Sequence, residues 1–103
     1  MIARLWSAKT THAQRSAYAD HLRKQVLPAV RKLEGYAGAL LLEREASDQV
    51  EIVVITFWHS LDSIRAFAGA DLEQAVVANE AASLLTEFDR RVGHYESVMK
   101  DDV

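Results

Sequence analysis

The chain has 103 residues, 50% hydrophobic and 26% charged, with four Gly, one Pro and a formal net charge of −3. That length and mixture describe one folded domain, and they exclude two domains or a disordered tail. Cys is absent, which removes disulfides, thiolate metal sites and a Cys nucleophile and predicts a reducing, cytoplasmic address. The acidic balance argues against nucleic acid. No run reaches the roughly 18 apolar residues of a membrane helix, and the N-terminus has no signal-peptide plan, so no membrane partner is expected either.

Residues 1–7 alternate Ile2, Arg4 and Trp6 with Ala3 and Leu5, which predicts a strand. Thr10 and Thr11 are candidate N-caps for an amphipathic helix in which Tyr18, Leu22, Val26, Val30 and Leu33 recur at spacings of three and four. Its other face, with Arg15, Arg23, Lys24, Arg31 and Lys32, reads as solvated surface. Pro28 should kink or restart this helix, because it lacks the N–H that an interior turn uses. Gly35 ends it. Residues 36–44 read as a second strand, with Tyr36, Gly38, Leu40 and Leu42 on one side and Ala37, Ala39 and Leu41 on the other. A polar turn over 45–49 leads to a third strand over 50–58. Ser60 is an N-cap for a short helix ended by Gly69. The spacing of Val76, Ala81, Leu84, Leu85 and Phe88 predicts a further helix over 72–88, and 91–98 closes as the last strand.

The order β, α, β, β, α in pieces, β predicts an α+β fold, a ferredoxin-like βαββαβ four-stranded antiparallel sheet with helices on one face. The second and third strands are apolar on both faces, yet two helical layers cover only one. A homodimer packing the bare sheet faces together is therefore expected.

The run Val54-Ile-Thr-Phe-Trp-His-Ser-Leu-Asp-Ser-Ile-Arg-Ala-Phe-Ala-Gly69 carries a family resemblance. So do Ala75-Val-Val77, Leu84 to Phe88, Val92-Gly-His-Tyr-Glu96, and Leu27-Pro28 with Leu33-Glu-Gly-Tyr-Ala-Gly-Ala-Leu-Leu41. Together they resemble the antibiotic biosynthesis monooxygenase family of dimeric α/β barrel proteins. The resemblance implies a homodimer with a ligand cavity in each subunit between sheet and helices. It also implies an activity: some members oxidise phenolic or quinol-type intermediates with dioxygen and no flavin, heme or metal, while others bind and degrade heme. The Trp that closes the third strand in the family is Trp58 here. Oxygenating members that depend on it tend to place an Asn four residues earlier, where this chain has Val54. Heme-degrading relatives carry a ligand His on the second helical segment, and this chain has no His between His59 and His94.

Oxygenation without a cofactor needs an electron-rich anion, a base to form it and a dry cavity where it meets dioxygen. The candidate proton-transfer residues are His94, His21 and Tyr18, the last two being neighbours three positions apart on the first helix. Packing and hydrogen bonding in the sheet is the plainer role for His94, and helix-edge solvation for His21. Trp58 and Trp6 are candidate aromatic walls, Phe67 a core residue that can line the pocket, and Arg4 a group able to hold a phenolate or carboxylate. For Trp6 the plainer role is core packing, and for Arg4 a salt bridge. No HExxH spacing or carboxylate cluster suggests a metal, and no cofactor is expected.

The leading functional reading is a cofactor-independent monooxygenase acting on a small aromatic, phenolic or quinol-type substrate in an apolar cavity. The alternatives are a dimeric protein that binds a small hydrophobic ligand without turning it over, and an oxygen-independent acid–base isomerase or cyclase.

Overall fold

A computed structural model describes all 103 residues. The first strand, β1 (Ile2–Thr11), is longer than the alternation of its first seven residues predicts. It pairs residue for residue with β3 (Gln49–Trp58), from Ile2 opposite Trp58 to Thr11 opposite Gln49. That pairing draws Thr10 into the strand. Its buried hydroxyl donates to the Leu84 carbonyl at 2.7 Å instead of capping the helix, while Thr11 Oγ1 accepts from the Gln14 N–H at 3.1 Å.

Helix α1 (Arg15–His21) passes into a π-helical turn, Leu22–Val26, and continues as α2 (Leu27–Val30). The Leu27 N–H reaches back five residues to the Leu22 carbonyl. Pro28, with no N–H and a ring that crowds the preceding turn, then sits in the first turn of α2, where neither property is costly. The expected restart of the helix is thus made by a π-turn. Gly35, at φ +89°, ends the segment.

The second strand, β2 (Tyr36–Ala46), pairs with β3 through a bulge at Ala37: Tyr36 lies opposite Trp58 and Gly38 opposite Phe57. The extra residue, next to Gly38 at φ +135°, reverses the facing expected from simple alternation. Tyr36, Ala39 and Leu41 turn to the helices, while Gly38, Leu40 and Leu42 turn away.

After β3, Ser60 Oγ accepts from the Ser63 N–H at 3.2 Å, opening a 3₁₀ turn (Asp62–Ile64) and α3 (Arg65–Ala68), which Gly69 terminates. The helix expected over 72–88 is reduced to α4 (Asn79–Ala82). Residues 72–78 are held open because their backbone bonds lie across the chain. The Leu72 and Gln74 carbonyls accept from Arg4, Ala75 N–H donates to the Arg90 carbonyl, and the Glu73 carbonyl accepts from Val92 N–H. Of the apolar positions that suggested a helix, Ala81, Leu84, Leu85 and Phe88 still pack into the core, whereas Val76 is 49% exposed. The last strand is split into β4 (Glu87–Phe88) and β5 (Gly93–Glu96), both antiparallel to β1. The antiparallel sheet order is β2-β3-β1, with β4 and β5 sharing the far edge.

All helices pack on one face of this ferredoxin-like α+β sheet. Val50, Ile52, Val54 and Ala8 meet Tyr18, Leu22 and Ala81 there, and Ile2 and Trp58 meet Ile64. The register places Gly38, Phe57, Ala3 and Tyr95 in one row across the opposite face, Leu40, Ile55, Leu5 and Gly93 in the next, and Leu42, Val53 and Ser7 in a third. Leu40 is 48% exposed and Leu42 46%. No helix is long and apolar enough to cross a membrane.

Candidate functional site

Between sheet and helices lies a cavity of about 70 Å³. Val54 and Thr56 of β3 and Arg4 and Trp6 of β1 form its floor. Tyr18 and His21 of α1 reach it from above with Leu22 and Val26 of the π-turn, while Phe67, Val76, Val77, Ala78 and Ala81 close the remaining side. Leu22 and Val26 reach it from the one irregular stretch of the first helix, a feature that recurs at ligand sites. The cavity adjoins a polar groove that shares His21, Val26 and Ala78 and adds Asp20, Lys24, Gln25 and Glu80.

Five of the seven side chains singled out from the sequence therefore come together: Arg4, Trp6, Tyr18, His21 and Phe67. Trp6 is fixed by its indole N–H, which donates to the Asp89 carbonyl at 2.7 Å, and its ring lies 6.3 Å from that of Tyr18. Burial pushes the Tyr18 phenol up to about 12, so it carries its proton at neutral pH and is a hydrogen-bond donor. His21 has its ring 6.4 Å from Tyr18, and its Nε2 is buried without a hydrogen-bond partner.

Trp58 stands elsewhere. It is fully buried, stacked 5.8 Å behind Phe67 and edge-on to Tyr36, with its N–H donating to Thr56 Oγ1 at 2.9 Å. Phe67 and Thr56, two of its neighbours, line the cavity and Trp58 does not, so Trp58 is core and not a wall. His94 is also off the cavity. It lies opposite Arg4 on the neighbouring strand, and its Nε2 contacts an Arg4 terminal nitrogen at 2.8 Å. A guanidinium only donates, so that imidazole nitrogen is the acceptor and is unprotonated. Burial first, and the Arg4 charge second, hold the His94 pKa below its ordinary value against an opposing pull from Glu73. With its lone pair engaged, His94 is a partner of Arg4 rather than a free base.

Arg4 is 4% exposed and makes no salt bridge, contrary to its plainer sequence reading. It donates instead to the carbonyls of Leu72 at 2.5 Å and Gln74 at 2.8 Å, and its guanidinium carbon lies 5.5 Å from the Phe67 ring centre. No signal in the sequence marked the contribution of Val77 and Ala78, because a helical period concealed an extended wall. Thr56 was legible, since it alternates with Val54 and Trp58. No group of three or more His, Asp or Glu side chains is placed to hold a metal ion.

The antiparallel sheet with all helices on one face, and a cavity between the two layers, gives the chain a ferredoxin-like α+β fold. No family model and no curated protein matches the sequence. Among solved structures it is similar to the heme-degrader MhuD from Mycobacterium tuberculosis with two hemes bound in its active site, at 19% identity and a TM-score of 0.63 over 99% of this chain and 100% of that one. It is likewise similar to a point mutant of MhuD with two manganese protoporphyrin IX molecules bound per active site, at 19% identity and a TM-score of 0.65 over the whole of both chains. At that identity the likeness is one of fold.

Proposed function

We propose that the cavity binds a small aromatic, phenolic or quinol-type molecule and that the chain oxidises it with dioxygen without a cofactor, His21 acting as base. The observation that carries this reading is the buried, unpartnered Nε2 of His21 on a cavity whose lining is otherwise almost wholly apolar. A buried imidazole nitrogen with no partner is a cost unless a ligand supplies one. On an anthrone-like substrate His21 takes the acidic C–H or phenolic proton. The carbanion or phenolate passes electrons to dioxygen, a C–O bond forms, and O–O cleavage leaves a quinone oxygen on carbon and releases the other oxygen as water. Substrate and dioxygen thus balance against quinone and water. Trp6 and Phe67 supply the aromatic walls, and the protonated Tyr18 donates to the developing oxyanion.

Heme, which one of the MhuD structures holds, fits this chain poorly. The imidazole on the cavity wall comes from the first helix, not from α3 or α4, and the cavity, at less than half the roughly 150 Å³ that accommodates benzene, must open for any aromatic ligand. A single ring already requires the 72–78 wall to yield.

The test is oxygen uptake by metal-stripped protein with anthrones, hydroquinones and catechols, product spectra being recorded. Uptake should scale with protein and fall roughly 100-fold in His21→Ala, with ligand affinity kept within a few-fold. Tight binding without uptake would instead favour a binding protein or an oxygen-independent acid–base enzyme.

The same proposal includes a homodimer joined through the bare sheet face. Two apolar rows across β2, β3, β1 and β5 and the Leu42–Val53 pair beside them support it, bordered by a charged row of Arg44, Glu51, Lys9 and Glu87 that would rim such an interface.

A further inference from the structure

We infer that the cavity ligand carries an anionic oxygen before any reaction begins, as an aromatic carboxylate or an acidic enol does, and that the Arg4 guanidinium holds it. This rests on the reading of the cavity as an aromatic-binding site, and it adds the charge of the molecule that the site selects.

Arg4 stands among neutral groups. It is the one buried charged residue of the chain, and every partner it has is neutral: two backbone carbonyls and an imidazole nitrogen that must be unprotonated to accept. The other side chains of its row across the sheet are Ala39, Thr56 and His94, which supply no negative charge. The acids nearest along the segment it grips are Asp71 and Glu73, and both are drawn outward to Arg91, at 2.5 and 3.5 Å. A cation taken out of water without a counter-charge is expensive, and proteins ordinarily pair it.

Here the uncompensated positive end opens on apolar walls. Burial lowers the Arg4 pKa only to about 10, so the charge persists at neutral pH. A guanidinium has five N–H donors in a planar fork, and the three bonds to Leu72, Gln74 and His94 leave donors for a carboxylate or enolate oxygen. An anion there would restore neutrality and gain charge-assisted hydrogen bonds in a place of low dielectric. A neutral quinol would gain neither. Arg4 rises from the sheet while His21 comes down from the helix, so the ligand would lie between the cation that fixes it and the base that acts on it.

Calorimetric titration with benzoate and its neutral isostere benzamide tests this without turnover. The wild-type chain should bind benzoate at least tenfold more tightly, about 1.4 kcal/mol. Arg4→Gln should abolish that preference while keeping the benzamide affinity, Arg4→Lys should retain part of it, and His21→Ala should leave it intact. Equal affinity of the wild-type chain for the two probes overturns the inference, and that comparison needs no variant to fold. A preference that survives Arg4→Gln and disappears in Lys24→Gln places the anion in the outer groove and overturns it as well. A benzoate preference with no oxygen uptake from any substrate upholds the inference and removes the oxygenase reading. Binding of neither probe removes the aromatic cavity and the inference together.

Discussion

His94 accepts a hydrogen bond at its Nε2 from Arg4 at 2.8 Å, a contact that exists only while the imidazole is neutral. Protonation would set two cations against each other in a part-buried place. Arg4 also holds the Leu72 and Gln74 carbonyls, so the state of His94 bears on the segment that walls the cavity.

A pH dependence follows from the lowered His94 pKa. The unfolded chain takes up a proton near pH 6.5, whereas the folded chain resists it to lower pH. The His94 contribution is thus fully present above about pH 6.5 and is lost as pH falls through the folded value. Melting temperature should drop between pH 7 and pH 5 in the wild-type chain. His94→Gln keeps an acceptor for Arg4 but cannot titrate, and its slope over that window should be shallower. Parallel slopes would show that other groups govern acid stability.

Tyr18 acts at the opposite end of the scale. Its proton is retained up to about pH 12 in the fold against about 10 in the unfolded chain, so its contribution is complete below pH 10 and disappears between those values. Tyr36 is also raised, by burial opposed by Arg31. Absorbance titration of the phenolates should show a late step that Tyr18→Phe removes. Survival of that step would assign it to Tyr36.

Trp58→Ala should cost about 3–5 kcal/mol in denaturant unfolding, the range for emptying a fully buried aromatic site. Trp58→Phe should cost less and, because Trp58 does not line the cavity, should leave aromatic-ligand affinity within about twofold. A large loss of affinity in a folded Trp58→Phe chain would place Trp58 back on the wall.

Gly35→Ala should destabilise the chain by roughly 1–3 kcal/mol. At φ +89° a side chain is strained, and the added Cβ would overlap the Ser63 side chain at the start of the 3₁₀ turn. Chemical denaturation measures the loss, and an unchanged midpoint would mean that this junction relaxes freely.

Leu40→Lys, on the bare face, should leave the monomer fold intact and change its association. Sedimentation should give twice 11.5 kDa for the wild-type chain and 11.5 kDa for the variant. A wild-type monomer at micromolar concentration would refute the proposed interface.

The strand and helix order was legible in the sequence because the alternation of Ile52, Val54, Thr56 and Trp58, and the helical spacing of Tyr18, Leu22, Val26 and Val30, are local periods. They report the face a residue presents without reference to the rest of the chain. The gathering of Tyr18 and His21 on one helix face was legible for the same reason. Four features were settled by the tertiary structure. The bulge at Ala37 moved Tyr36 and Leu41 to the helix side, because register depends on the partner strand. Residues 72–78 gave up their helical period because a buried Arg4 and the Arg90–Val92 backbone offered their carbonyls and N–H groups partners far away in the chain. Trp58 and His94 were left off the cavity, which their neighbours Phe67 and Arg4 line instead. Which polar atom is left without a partner depends on every neighbour at once, and so His21 was set apart from the other histidines by packing alone.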